Sequence, residues 1–86
     1  MAENRVTQEE INALMDASEQ AVWEPFPGVT IVALKLPCGF VLEGMSGCVD
    51  PTQYDREIGV RIAREHIEDR LWQLEGYVLK QKIAER

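Results

Sequence analysis

The sequence predicts an α+β fold: a short N-terminal helix, an antiparallel sheet of two or three strands, and a long C-terminal helical segment. Three observations predict it. A helical run opens behind a capping signal at Thr7. Two runs rich in β-branched and apolar residues flank the Pro37-Cys38-Gly39 turn. From Asp50 onward, apolar residues recur at helical spacing with charges between them.

In Thr7-Gln8-Glu9-Glu10 the Thr7 hydroxyl can accept from the Glu10 amide, while the Glu10 side chain reaches back. Ile11, Leu14 and Met15 follow at helical spacing and predict a short amphipathic helix to about residue 18. Residues 20–26 hold the bulky Val22, Trp23 and Phe26, but Pro25 and Pro27 limit regular pairing. They read as a short edge strand closed by the Pro27-Gly28 turn. Residues 29–36 form the surest strand, and residues 40–45 return as the second strand of a hairpin. Gly44 inside that strand predicts a bulge or a close backbone approach.

Asp50-Pro51 reads as a helix start, with Asp50 capping and Pro51 at the first helical position. The remainder reads as helix. Ile58, Ile62, Ile67, Leu71, Leu74 and Val78 set out an apolar stripe, and Glu57–Arg61, Arg61–Glu65 and Arg64–Glu68 are i,i+4 pairs on other faces. Gly59 reads as a close-packing position and Gly76 as a break or bend near the helix end.

Composition bounds the function. The 86 residues form a single domain, 1–86, with 45% hydrophobic and 28% charged residues, an ordinary globular balance. Residues 29–36, the longest apolar stretch, are too few to span a bilayer, and the N-terminus lacks the basic-then-apolar order of a signal peptide. Nine basic against fifteen acidic residues give a net charge of −6, which argues against direct DNA binding. The excess is all in the front half. In residues 1–50 two bases, Arg5 and Lys35, face eight acids; in residues 51–86 seven bases face seven acids. Cationic contacts to an anionic ligand are therefore expected from the back half.

Cys38 and Cys48 form no disulfide framework and read as small buried or strand-end residues in a reducing cytoplasm. With His66 the sole histidine, the ligand count argues against a metal site. No cofactor motif is present, and no nucleophile–base constellation stands out, so the chain reads as non-enzymatic. A chain this short buries only about 60% of its unfolded surface. Self-association is therefore expected, through Ile62, Ile67, Leu71, Trp72, Leu74 and Val78.

One stretch combines three features that suit a nucleotide. Phe40 and Tyr54 offer aromatic faces. Gly44, Ser46, Cys48 and Asp50 lie on a loop running from a strand end to a helix start, where free amides attract anions. Arg56, Arg61 and Arg64 supply guanidinium groups. These nine residues are the candidate ligand-binding set, within one protomer or shared between protomers.

Several motifs also resemble a known family. They are Gly39-Phe40, Gly44, Cys48-Val49-Asp50-Pro51, Tyr54-Asp55, Glu57-Ile58-Gly59, Ala63, and Leu71-Trp72-Gln73-Leu74-Glu75-Gly76-Tyr77. Together they resemble the gene 49/gene 66 family of small accessory proteins of tailed bacteriophages, over about residues 30–80. Met45 stands where the family often has an acid, and Gly47 where it often has alanine. The resemblance implies expression in the cytoplasm of a bacterial host. In organisation the chain is also similar to the phage anti-Thoeris sponges, homo-oligomers that sequester cyclic nucleotide immune signals without cleaving them. That similarity implies base stacking on Phe40, a polar contact from Asp50, and a cyclic nucleotide or cyclic ADP-ribose-type ligand. The acidic front half supports a second expectation, a protein-directed inhibitor that docks on a basic host protein.

Overall fold

The computed structural model describes residues 5–85. Its elements are α1 (Gln8–Asp16), β1 (Glu19–Trp23), β2 (Val29–Lys35), β3 (Val41–Gly47), a 3-10 turn (Pro51–Gln53) and α2 (Arg56–Ala84). The architecture is α+β, as the sequence patterning leads one to expect. The sheet is an antiparallel meander in the order β1-β2-β3, with Ile31 paired to Trp23 on one side and Met45 on the other.

Both helices pack on one face of this sheet. α1 begins where Thr7 accepts from the Glu10 amide at 3.2 Å, and it buries Ile11 and Met15. These join Val32, Leu34, Leu36 and Leu42 from the strands and Ala63, Ile67 and Leu71 from α2. The alternation of β2 explains its share: Thr30, Val32 and Leu34 point inward and are fully buried, while Ile31 and Ala33 face the other side of the sheet.

Two details of the back half differ from the sequence expectation. α2 starts at Arg56 rather than at Pro51. Pro51–Gln53 is a separate turn, and Asp55 caps α2 by accepting from the Glu57 amide at 2.9 Å. The helix also runs through Gly76 without a break.

The buried stripe of α2 is Gly59, Ala63, Ile67 and Leu71, whereas Ile58 is 47% exposed. Small residues win these positions because the helix axis comes very close to the sheet. A Cβ on Gly44 would lie 2.1 Å from the Ala63 carbonyl oxygen, and one on Gly59 would lie 2.5 Å from Thr30 Oγ1. Gly44 is thus the close approach anticipated for it, within a strand that keeps regular pairing.

α2 outruns the sheet. Its 29 residues extend about 43 Å, whereas a seven-residue strand covers about 24 Å. Ile67 and Leu71 close the chain's own core and are unavailable to a partner, a correction to the expected interface stripe. Trp72 packs against that core, and Ile62 is half-buried. Leu74 and Val78 stay 38% and 42% exposed on the overhanging part.

Candidate functional site

The nine candidate ligand residues do not gather in one place. β3 divides them. Its ends, Val41 and Gly47, are about 20 Å apart. Phe40 precedes one end, while Ser46, Cys48, Asp50 and Tyr54 gather at the other. Gly44 lies between them, buried under α2. A single chain therefore does not bring the stacking residue Phe40 to the Gly44–Asp50 loop.

At the far end, carboxylates already accept from two of the backbone amides. Asp50 Oδ1 accepts from the Thr52 amide at 3.0 Å and the Thr52 hydroxyl at 2.7 Å. The Thr52 hydroxyl first, and then its amide, hold the Asp50 carboxyl below the usual aspartate range. Asp55 likewise caps α2. An incoming phosphate would meet these two anions, which disfavours this end as an anion site. The Cys48 thiol donates to the Asp50 carbonyl at 3.0 Å, and the Cys48 amide donates to the Gly28 carbonyl at 2.8 Å. Tyr54 shares a hydrogen bond with the buried Thr30 hydroxyl. That bond fixes the ring beside Gly59, closing a cleft of about 130 Å³. Tyr54 is thus a packing and hydrogen-bonding residue.

The arginines point elsewhere. Arg61 and Arg64 line an open groove of about 450 Å³ between α1 and α2. They share it with Asp16, Glu57, Glu65 and Glu68, so the groove is not cationic. Arg64 donates to the Gln20 side-chain carbonyl on β1. Arg56 is exposed in the first turn of α2.

Phe40 belongs to a different surface. It closes the β2–β3 turn, where the Leu36 amide donates to the Phe40 carbonyl at 2.8 Å. Cys38 in that turn is exposed just beyond the end of β2, the strand-end rather than the buried setting of the two expected for the cysteines. Phe40, Leu36, Leu71, Leu74, Tyr77 and Val78 line an apolar groove of about 340 Å³ under the overhang of α2. Phe40 is 53% and Tyr77 63% exposed, so both rings present area to solvent. Lys82 follows Val78 by four residues and so stands on the same side of α2, one turn beyond the residues that line the groove, whereas Lys80, nine residues after Leu71, falls on the opposite side. Among the described residues Glu75 is the one charged residue that lines the groove, whose aromatic pair suits the face of a base.

The family model of the phage protein (N4 Gp49/phage Sf6 gene 66) family matches residues 5–83. The chain belongs to this phage protein family. The match extends the resemblance carried by residues 30–80 to α1 and β1, whose sequences hold no motif legible alone. No curated protein and no solved structure matches the chain.

The sequence reading missed Leu36 and Tyr77 as groove residues of this phage protein. Tyr77 ends the Leu71–Tyr77 motif, which in the sequence carries a family resemblance and no ligand role. Its spacing from Leu74 and Val78 was the available signal. Among the described residues there is no group of three His, Cys, Asp or Glu side chains placed to hold a metal ion, and no helix is long and apolar enough to cross a membrane.

Proposed function

We propose that this phage protein is a counter-defence protein that binds and sequesters a cyclic nucleotide or cyclic ADP-ribose-type signal without cleaving it. It acts in the cytoplasm of the infected bacterium as an assembly of identical copies. The observation that carries this reading is the exposed Phe40–Tyr77 pair over an apolar groove. A base gains by stacking on an aromatic ring, and phosphates gain from nearby ammonium groups. The groove offers a stacking platform, with Lys82 one turn beyond Val78, whereas His66, the chain's one histidine, lies outside it, so binding rather than hydrolysis is the reading. Arg56, Arg61 and Arg64 keep a ligand role in this reading only where a second copy brings them to Phe40.

The test is recovery of the ligand. The purified protein is loaded with a panel of cyclic dinucleotides, cyclic trinucleotides and cyclic ADP-ribose isomers, washed, and heated. Release of an intact panel member supports sequestration. Release of a cleaved product contradicts it.

A specific observation favours a second reading. Glu9, Glu10, Asp16, Glu19, Glu24, Glu43 and Asp50 are all exposed, so the front half shows an acidic surface. That surface suits docking on a basic host protein. A phage protein that retains no panel member but captures a basic host protein through this surface would favour it.

A further inference from the structure

One side of α2 changes role part-way along the helix. Gly59, Ala63, Ile67 and Leu71 recur every fourth residue and are buried on the sheet. The sheet ends near Leu71, but the helix continues to Ala84, about 20 Å further. Leu74 and Val78 prolong the same side, three and seven residues beyond Leu71, and Tyr77 stands beside them. All three are exposed. The underside that is core in the first half of the helix is thus bare in the second half.

We infer that a second copy of this chain covers that underside, with the two α2 overhangs antiparallel and crossing near Val78. Charge selects both the occupant and the direction. Glu75 and Lys82 stand seven residues apart, on one flank of the Leu74–Val78 stripe. Among the described residues neither makes an ion pair within its own chain. In a two-fold antiparallel pair centred between residues 78 and 79, position 75 of each copy stands opposite position 82 of the other. Each Glu75 then meets a Lys82, and symmetry makes the contact twice. A parallel pair in register would put the two copies of Glu75, and likewise of Lys82, on opposite sides of the seam, so neither Glu75–Lys82 contact would form. The surface is therefore complementary to itself in one direction.

The pairing goes beyond the nucleotide reading and competes with it for one surface, because Leu74, Tyr77 and Val78 also line the Phe40 groove. Its test contains no nucleotide, so the two can fail separately. Sedimentation equilibrium of the full chain at micromolar concentration should give twice the 9.8 kDa chain mass. Glu75→Lys and Lys82→Glu each turn two attractive contacts into two repulsive ones, and each should weaken the dimer about tenfold or more. The double variant Glu75→Lys/Lys82→Glu restores opposite charges and should return to within about threefold of the parent. Val78→Asp should give a monomer. Both charge positions lie outside the core, and circular dichroism should show the helix content kept. A parent chain that is monomeric at 100 μM (a concentration on the order of 10⁻⁴ M, well above a micromolar Kd), or a double variant as weak as the singles, overturns the inference. A ligand that then binds the monomer would leave the nucleotide reading standing.

Discussion

Gly44 on β3 lies so close to Ala63 on α2 that a Cβ at position 44 would sit 2.1 Å from the Ala63 carbonyl oxygen. No side chain separates the two backbones at this point. The helix therefore rides low over the sheet, and it does so again one turn earlier, where Gly59 meets Thr30. This low crossing fixes the line of α2 and hence where its far half leaves the sheet. The groove beneath Tyr77 and Val78 follows from contacts made more than a dozen residues upstream, about 20 Å away.

A glycine series tests the crossing. Gly44→Ala should destabilise the protein by about 1–3 kcal/mol, because a backbone oxygen cannot swing aside as a side chain can. Gly76→Ala, with nothing within 4 Å of the added methyl, should stabilise it by about 1 kcal/mol through helix propensity. Urea unfolding of the two variants checks both signs.

Thr30 and Tyr54 give a second test. Thr30 is a fully buried polar residue whose hydroxyl pairs with the Tyr54 hydroxyl. Tyr54→Phe leaves the Thr30 hydroxyl buried and unpartnered, at a cost of about 1–3 kcal/mol. Adding Thr30→Val to Tyr54→Phe removes the orphaned group, so the double variant should be more stable than the sum of the single losses predicts. Strict additivity in a double-mutant cycle would refute the coupling.

The Asp50 turn should show its own pH signature. Its folded pKa is lowered by the Thr52 hydroxyl and amide, so the ionised form is favoured in the folded turn. The stabilisation is present above the ordinary aspartate pKa and is lost as the pH falls through the lowered folded value. An NMR titration of the Asp50 carboxyl should give a midpoint below that of an unstructured aspartate. Thr52→Ala should move the midpoint upward, because the larger of the two causes is removed. An unshifted midpoint would contradict the hydrogen bonds at this turn.

Much of this fold is legible in local sequence. Thr7 caps α1, the β-branched run from Val29 marks β2, and Pro37-Cys38-Gly39 makes the hairpin turn, each through interactions between near neighbours. The core stripe of α2 is less legible. Periodicity favours Ile58 and Ile62 because they are large, yet Gly59 is buried against the Thr30 and Tyr54 side chains and Ala63 against the backbone at Gly44, where the close crossing favours small residues. The candidate site is least legible. Phe40 and Cys48 are eight residues apart in sequence, but an extended strand lies between them and holds them at opposite ends of the sheet. A list of residue types says nothing of that separation. Likewise, the loop amides looked free in the sequence, but Asp50 and Asp55 accept from the amides at the two helical starts.

Phe40 separates binding from stability. At 53% exposure its truncation should cost under about 1 kcal/mol of folding stability, less than removal of a core phenylalanine. If a base stacks on it, the same truncation should cost about 1–3 kcal/mol of binding. Thermal unfolding of Phe40→Ala beside the parent checks the first half of this expectation.

The most direct measurement of the central claim is titration calorimetry of the parent and Phe40→Ala against the same cyclic nucleotide and cyclic ADP-ribose panel. The parent should bind at least one member, and the variant should bind that member about 5- to 150-fold more weakly, the range that 1–3 kcal/mol represents. A parent that binds no member of the panel, or a Phe40→Ala variant that binds as tightly as the parent, would contradict the account.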